Sequence, residues 1–417
     1  MTAPTVKAGD RSRLDEIDVF SHEVWVKEVP HDQLALLRHE APVFRHAGTE
    51  IDMPPHFWVL TRHADVQAAN RDWETYSSAL PGSLLNNPPE DVSNDFKTII
   101  DVDPPTHTRL RKLVNRGFMP RVISSYEEHL RDVTAEIFDR AVPKGQFDFV
   151  VDVAAELPLV AITELLGIPY EDRHKVFEWA NRLVGGTDPE YDRGQEARVG
   201  AAFELYQYAQ ELATERRAQP KEDIITRLIS AVDGDDDRLG DHEFDLFILT
   251  LAVAGSETTR NAMSHGLLAL MNNPEQMRRL REAGPEVSDA TVDEILRWAT
   301  PVSNFRRTAT RDVELHGVHI PKGDPVVLSY ASANYDETVF DDPHRFDITR
   351  SPNPHLSFGG GGPHFCLGSH LARLEIKLLF EALLSHTSDI QLDGEVQRLR
   401  SSFINGIKHL PVRAQSL

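Results

Sequence analysis

The chain has 417 residues, of which 26% are charged and 40% hydrophobic, an ordinary globular composition long enough for one large or two average domains. Its 66 acidic against 44 basic residues give a net charge of −22, which argues against nucleic acid or an anionic membrane as principal partner. There is no apolar leader, no uninterrupted apolar run of about 18 residues and only one cysteine, so the expectation is a cytoplasmic protein without disulfides or membrane spans.

In chain order, residues 1–20 are polar and read as a flexible tail, with a single domain over 21–417. "FWVLTRHADVQAA" (57–69) reads as a strand turning into a helix. Helical periodicity then dominates from Pro105 to Ala299, interrupted by "GGTDPEYDRG" and "DGDDDRLGD". Short β-type runs follow, "VELHGVHI" and "PVVLSY", each bounded by Gly, Pro or Asp. A helix begins just after the cysteine, and "FINGIKHLPV" (403–412) has a hairpin-like pattern. No regular β–α alternation is present, so the fold class is mainly α with a minor β portion. Three weaker signals are set aside. The Asp233–Asp237 cluster has a misplaced glycine for a calcium loop, the four glycines lack a phosphate-loop Lys-Ser/Thr, and His22-Glu23 lacks a second histidine.

The most informative stretch is "SFGGGGPHFCLGSHLARLEI" (357–376), which holds the lone Cys366. A lone cysteine is most often a small buried hydrophobe. Here Gly359 to Gly362 permit backbone conformations and approaches that side chains forbid, which suggests a bulky planar object against the chain. The helix beginning close to the thiol would favour a thiolate. Its uses are nucleophile, zinc ligand or haem ligand. Zinc would call for further ligands at characteristic spacing, a nucleophile for a base that sequence does not place, and haem for one axial thiolate.

"DHEFDLFILTLAVAGSETTRNAMSHGLLALMNN" (241–273) is an unusually long helix, apolar almost all round from Phe244 to Val253. Ala254, Gly255, Glu257 and Thr258 then interrupt the apolar run. Either Thr258 bonds back to the Ala254 carbonyl and bends the helix, or the small residues admit a flat cofactor while Thr258 and Glu257 handle water and protons.

With both stretches in view, the chain resembles the cytochrome P-450 family. Phe358, Gly362, His364, Cys366 and Gly368 match the family's haem loop, with Phe358 eight residues before the cysteine where seven is usual. The resemblance implies haem b with Cys366 as axial ligand, and places Ala254, Gly255, Phe358 and Gly368 at the cofactor. It makes Glu257 and Thr258 the oxygen-activating acid–alcohol pair. Glu294 and Arg297 of "DEILRW", with Arg345 of "PHRF", become structural support for the loop. His107, Arg111, Arg307 and His364 become propionate partners. The implied reaction is hydroxylation of a lipophilic substrate by O2, with electrons from a ferredoxin and its NAD(P)H-dependent reductase. A peroxide-driven peroxygenase or isomerase, or a non-catalytic haem sensor or lipid carrier, are the alternatives.

The family's pocket walls map to Leu80, Leu84, Leu85, Phe177, Trp179, Leu183, Val184, Leu249, Val253, Val302, Phe305, Phe403 and Ile404, an apolar set that is equally ordinary core. The extra glycine and the "FINGIKHLPV" ending resemble a bacterial branch that oxidises sterol side chains, methyl-branched lipids and terpenoids. Helical periodicity alone places Arg109, Lys112 and Arg116 on one arc, a candidate dock for an acidic electron donor.

Overall fold

A computed structural model describes residues 14, 16–50, 53–86, 97–184, 186–192, 194–221, 223–229 and 239–417. The Asp233–Asp237 cluster and most of the expected tail lie outside them. Within the tail, Val19 and Phe20 are buried, packing with Trp25 and Leu34, so the domain begins before residue 21.

Nine helices position the site: α1 (His63–Arg71), α2 (Thr106–Asn115), α3 (Glu127–Ala141), α4 (Glu156–Leu166), α5 (Arg173–Val184), α6 (Gln195–Ala218), α7 (Asp241–Asn272), α8 (Asp289–Ala299) and α9 (Ser369–His386). The 32-residue α7 is the axis of the molecule and packs against α4, α5, α6, α8 and α9. Its nearly all-round apolar stretch from Phe244 to Val253 suits that central place. It stays helical through its polar middle because hydroxyls and an amide bond back to carbonyls one turn earlier: Ser256 to Ala252, Thr258 to Ala254 and Asn261 to Glu257, each at 2.8 Å. It ends at Asn273, ahead of Pro274, which opens the next helix. At Gly266 the helices approach so closely that an added Cβ would lie 2.8 Å from Ile295 on α8 and 2.9 Å from Phe380 on α9. Helix α8 starts on a Ser288 cap, whose side chain accepts from the Thr291 N–H at 3.2 Å.

The β portion includes a five-stranded sheet of β1 (Val43–Ala47), β2 (His56–Leu60), β3 (Tyr76–Ser77), β5 (Asn304–Ala309) and β8 (Pro325–Ser329), in the order β1-β2-β8-β5-β3. Among the described strands, only β2 and β8 pair in parallel. Strand β2 shows why it forms here: Phe57 and Val59 face one apolar cluster, Trp58 and Leu60 another, the period-2 alternation of a sheet with both faces covered. "VELHGVHI" is the expected hairpin, β6 (Val313–Leu315) with β7 (Val318–Ile320). The chain end differs from expectation. Strand β11 (Ile407–His409) pairs back to β10 (Gln397–Arg398), while β12 (Pro411–Ser416) runs between β4 (Gln146–Asp148) and β9 (Thr387–Leu392).

Candidate active site

Phe247, Thr250, Leu251, Ala254, Gly255, Thr258, Thr259 and Ala262 recur at three- and four-residue steps along α7 and line one cavity. The thiol-bearing loop and the start of α9 form the facing wall, through Phe358, Gly359, Cys366, Gly368 and Leu371. Thr258 faces this space while donating to the Ala254 carbonyl. Glu257 does not line it. It is buried on the adjoining face of α7, ion-paired with Arg260, which also reaches Asn181 of α5. Gly255 borders the cavity, yet an added Cβ there would meet Ile162 of α4 at 3.0 Å, so helix packing also calls for its small size.

Gly359 to Gly362 all have positive φ, which favours glycine. Their close approaches are to protein rather than to an open face. A Cβ on Gly362 would sit 2.3 Å from the Asn70 carbonyl oxygen, and Arg71 donates to the Gly360 carbonyl at 3.0 and 3.2 Å. The loop is thus docked on the end of α1, which accounts for most of the glycine run. Phe358 packs among His355, Phe365 and the Arg373 guanidinium, 4.5 Å from its ring, and its carbonyl accepts from the Cys366 N–H at 3.0 Å. The eight-residue spacing therefore still places Phe358 against the thiol segment. The expected thiolate is not favoured by the protein alone. Burial pushes the Cys366 thiol up, opposed by the Gly368 N–H, Arg111 and Arg373.

One end of the cavity gathers two arginines and two histidines. His107 and His364 have ring centroids 4.3 Å apart, and Arg111 and Arg307 join them as lining residues. Arg307 is buried and, among the described residues, donates to the Arg306 carbonyl at 2.7 Å and to Asn70 at 3.4 Å. Arg111 donates to the Pro363 carbonyl at 3.3 Å. Neither has an acidic partner within salt-bridge distance among the described residues. His364 Nε2 is buried without a hydrogen-bond partner among the described residues. Burial, then Arg307, His107 and Arg111, push the His364 ring down to about 2. Burial and Arg111 push His107 down to about 4. Such a cluster is a site for an anion.

The sequence model described as cytochrome P450 matches residues 191–398. A steroid C26-monooxygenase of Mycolicibacterium smegmatis is 44% identical over 405 residues, covering 95% of this chain and 93% of the relative. A methyl-branched lipid omega-hydroxylase of Mycobacterium tuberculosis is 39% identical over 409 residues, covering 95% and 94%. Among solved structures, a Mycobacterium marinum cytochrome P450 in complex with pseudoionone superposes with a TM-score of 0.88 at 39% identity, covering 95% and 98%. The chain is a cytochrome P450.

A P450 is a haem-thiolate monooxygenase, and the residues present fit that group. Cys366, the only cysteine in the chain, is the one thiolate it can offer. The glycine loop that bears it and the α7 groove opposite line one slot, and the two arginines at one end suit two propionates. The metal would displace the thiol proton that burial retains.

The support of this P450's loop differs from expectation in one residue. Glu294 and Arg297 are fully buried and share two hydrogen bonds of 2.8 Å. The further arginine is Arg350, 3.1 Å from Glu294. Arg345 is exposed and near only Asp347, because the turn after Phe346 brings the later arginine inward. Sequence reasoning also missed Asn334. It accepts from the Leu356 N–H at 2.7 Å and donates to Ser357 at 2.9 Å, while Arg297 donates to its carbonyl at 3.0 Å. That chain of bonds carries the Glu294–Arg297 pair to the loop.

Of the pocket residues expected from sequence, Val302 and Phe305 line the cavity. Phe403 stacks edge-on against Phe305 at 5.6 Å, and Ile404 bridges to Val302, so both stand behind that wall. Leu249 and Val253 lie a residue off the lining face of α7. Trp179 packs against Tyr208 and donates to Glu204, a helix contact between α5 and α6. Leu183 packs on the main core, Leu85 on the N-terminal cluster, and Leu84 is exposed. Ile99, Ile100, Phe247 and Leu251 line instead. The basic arc is also altered. Arg109 is ion-paired with Glu243 of α7, Lys112 is exposed, and the Arg116 side chain lies outside the described residues.

Proposed function

We propose that this P450 hydroxylates a lipophilic molecule at or near a methyl-branched end, as in a terpenoid, a sterol side chain or a branched lipid. The observation that carries the reading is the wall of Ile99, Phe247, Leu251, Val302 and Phe305 beside the Thr258 side of the cavity. Apolar surface of this kind favours hydrocarbon by roughly 25 cal/mol per Å² buried. The names of the relatives, a steroid C26-monooxygenase and a methyl-branched lipid omega-hydroxylase, support the same substrate class.

When bound, the haem with its thiolate supplies the reductive activation of O2. Cys366 would hold its metal from the loop side, and His107, Arg111, Arg307 and His364 would anchor its anionic edge. Thr258 places a hydroxyl on the oxygen side, and exchange of its Ala254 bond for one to water or oxygen would position a proton there. Glu257, held by Arg260, acts on that proton only if the pair opens. The apolar wall excludes bulk water and aligns the substrate end. Type I spectral shifts and product analysis with branched lipids, terpenoids, sterols, straight-chain lipids and polar aromatics test this. Preference for the aromatics, or oxidation only at ring or mid-chain positions, would refute it.

For electrons, the reading is a cytoplasmic ferredoxin and its NAD(P)H-dependent reductase, docking near the exposed Lys112 of α2. Lys112→Glu should slow reduction by ferredoxin without weakening substrate binding. The wild-type rate should fall with salt, since exposed charges are screened over about 8 Å at physiological ionic strength. A salt-independent rate, unchanged in the variant, would remove this docking site.

A further inference from the structure

Thr250 is the one polar side chain that α7 gives to the cavity lining before Thr258. Its neighbours on that face are Phe247, Leu251 and Ala254, and the Ile99–Asp101 turn that packs on α7 adds Ile99 and Ile100. Eight residues of helix rise about 12 Å, so the cavity follows α7 for that distance between Thr250 and Thr258. The Thr250 hydroxyl donates to the Leu246 carbonyl at 2.7 Å. A hydroxyl carries one proton and two acceptor positions. At Thr250 the helix holds the proton, and among the described residues no donor answers the acceptor positions. Valine has the same shape and suits an apolar wall better, so a threonine at this place invites a functional reason. The charged donors of the cavity stand elsewhere, with Arg111 and Arg307 at the end that suits the propionates.

We propose that Thr250 is a specificity-determining residue, the acceptor for a hydroxyl on the substrate. The substrate is then a lipophilic alcohol whose hydroxyl stands remote from its oxidised, methyl-branched end. The proposal rests on the hydroxylation read above and names the polar group of its substrate. An alcohol donates to Thr250 Oγ1 while the Leu246 bond is kept, so one hydrogen bond is gained and none is lost. A ketone or aldehyde needs a donor, and Thr250 supplies one only by giving up Leu246. A methyl ether has no proton to offer. A carboxylate would lose its hydration beside Phe247 and Leu251, and the lining face of α7 carries no counter-charge between Phe247 and Thr258. The separation of about 12 Å along α7 sets the hydroxyl and the oxidised carbon at opposite ends of the molecule.

The test is a spectral titration of the haem-loaded protein with matched ligands: a branched acyclic terpene alcohol, its methyl ether and its aldehyde. A second set, a sterol with its methyl ether and its ketone, separates acyclic from ring skeletons. Wild type should bind the alcohol of the fitting skeleton about two- to ten-fold more tightly than its ether or carbonyl form, as one neutral hydrogen bond provides. Thr250→Val should erase that advantage and leave the ether's affinity unchanged. Thr250→Ser keeps the acceptor and should preserve the advantage. The product of the alcohol should carry its new oxygen at the branched end, with the original hydroxyl intact. Should the Val variant fail to load haem, Thr250→Ala takes its place with the same expectation. Skeletons that bind with no preference for the alcohol, or a preference that survives in Thr250→Val, overturn the proposal and leave the hydroxylation reading standing. If neither skeleton binds in any form, both fall.

Discussion

Arg350 Nε donates to Glu294 Oε2 at 3.1 Å, while Arg345, five residues earlier, leaves 61% of its side chain in solvent. The partner that matters to the buried Glu294 is therefore the later arginine. Replacing Arg350 with Ala leaves part of a buried charge unanswered and should cost about 2–4 kcal/mol, with lower haem retention. Arg345→Ala should stay within about 0.5 kcal/mol. Urea unfolding and haem content of the two variants check this. Equal effects would contradict the geometry.

Cys366→Ser should abolish the red-shifted Soret band of the ferrous carbonyl adduct. No other thiol exists in the chain to replace it. A variant that kept the band would remove the axial assignment.

Thr258→Ala should retain haem and substrate binding while reducing equivalents pass into peroxide. Its hydroxyl lines the cavity and has a replaceable bond to Ala254. The ratio of product to NAD(P)H consumed measures this, and an unchanged ratio would leave Thr258 a helix-shaping residue only.

Gly266→Ala should destabilise the protein by about 1–3 kcal/mol, because the new Cβ would press on Ile295 and Phe380 where α7, α8 and α9 meet. Thermal unfolding reads the effect. A neutral substitution would mean that these helices part without cost.

His265 is buried in α7, its Nε2 3.0 Å from the Asn405 carbonyl, and burial pushes its pKa down to about 3. The folded-state value lies below the unfolded one near 6.5, so between pH 6.5 and about 3 the unfolded chain binds the extra proton. Stability from this group is full above pH 6.5 and falls as the pH drops, by about 2 kcal/mol at pH 5. His265→Asn should flatten the urea midpoint between pH 7 and 5 relative to wild type. An equal slope would assign the loss to other groups.

The thiol loop, the long helix and the cationic residues were legible because each carries a local pattern: a glycine run, a hydroxyl inside apolar sequence, two residues four apart. The phase of α7 was not. From Phe244 to Val253 it is apolar on almost every side, so periodicity could not decide between Leu249 or Val253 and Phe247 or Leu251 as lining. Trp179 illustrates the same limit, since an aromatic that serves the α5–α6 contact has the composition of a pocket wall. Arg350 and Asn334 were hidden for another reason. Their roles follow from how the chain doubles back after Phe346 and before Ser357, and no spacing in the sequence encodes that path. Glu375, with Arg373 and Lys377 two residues to either side, reads as one more surface acid until its burial is seen.

The three-stranded sheet places β12 in the middle, between β4 and β9. During synthesis β4 emerges early and waits without a partner until residues 411–416 have left the ribosome, and β9 waits with it. The two open edges held apart in this way are where a nascent chain would recruit a chaperone or pair wrongly with its neighbour on the same messenger. A stop codon placed before Pro411 would leave that vulnerability permanent, although every residue named in the cavity would already have been made.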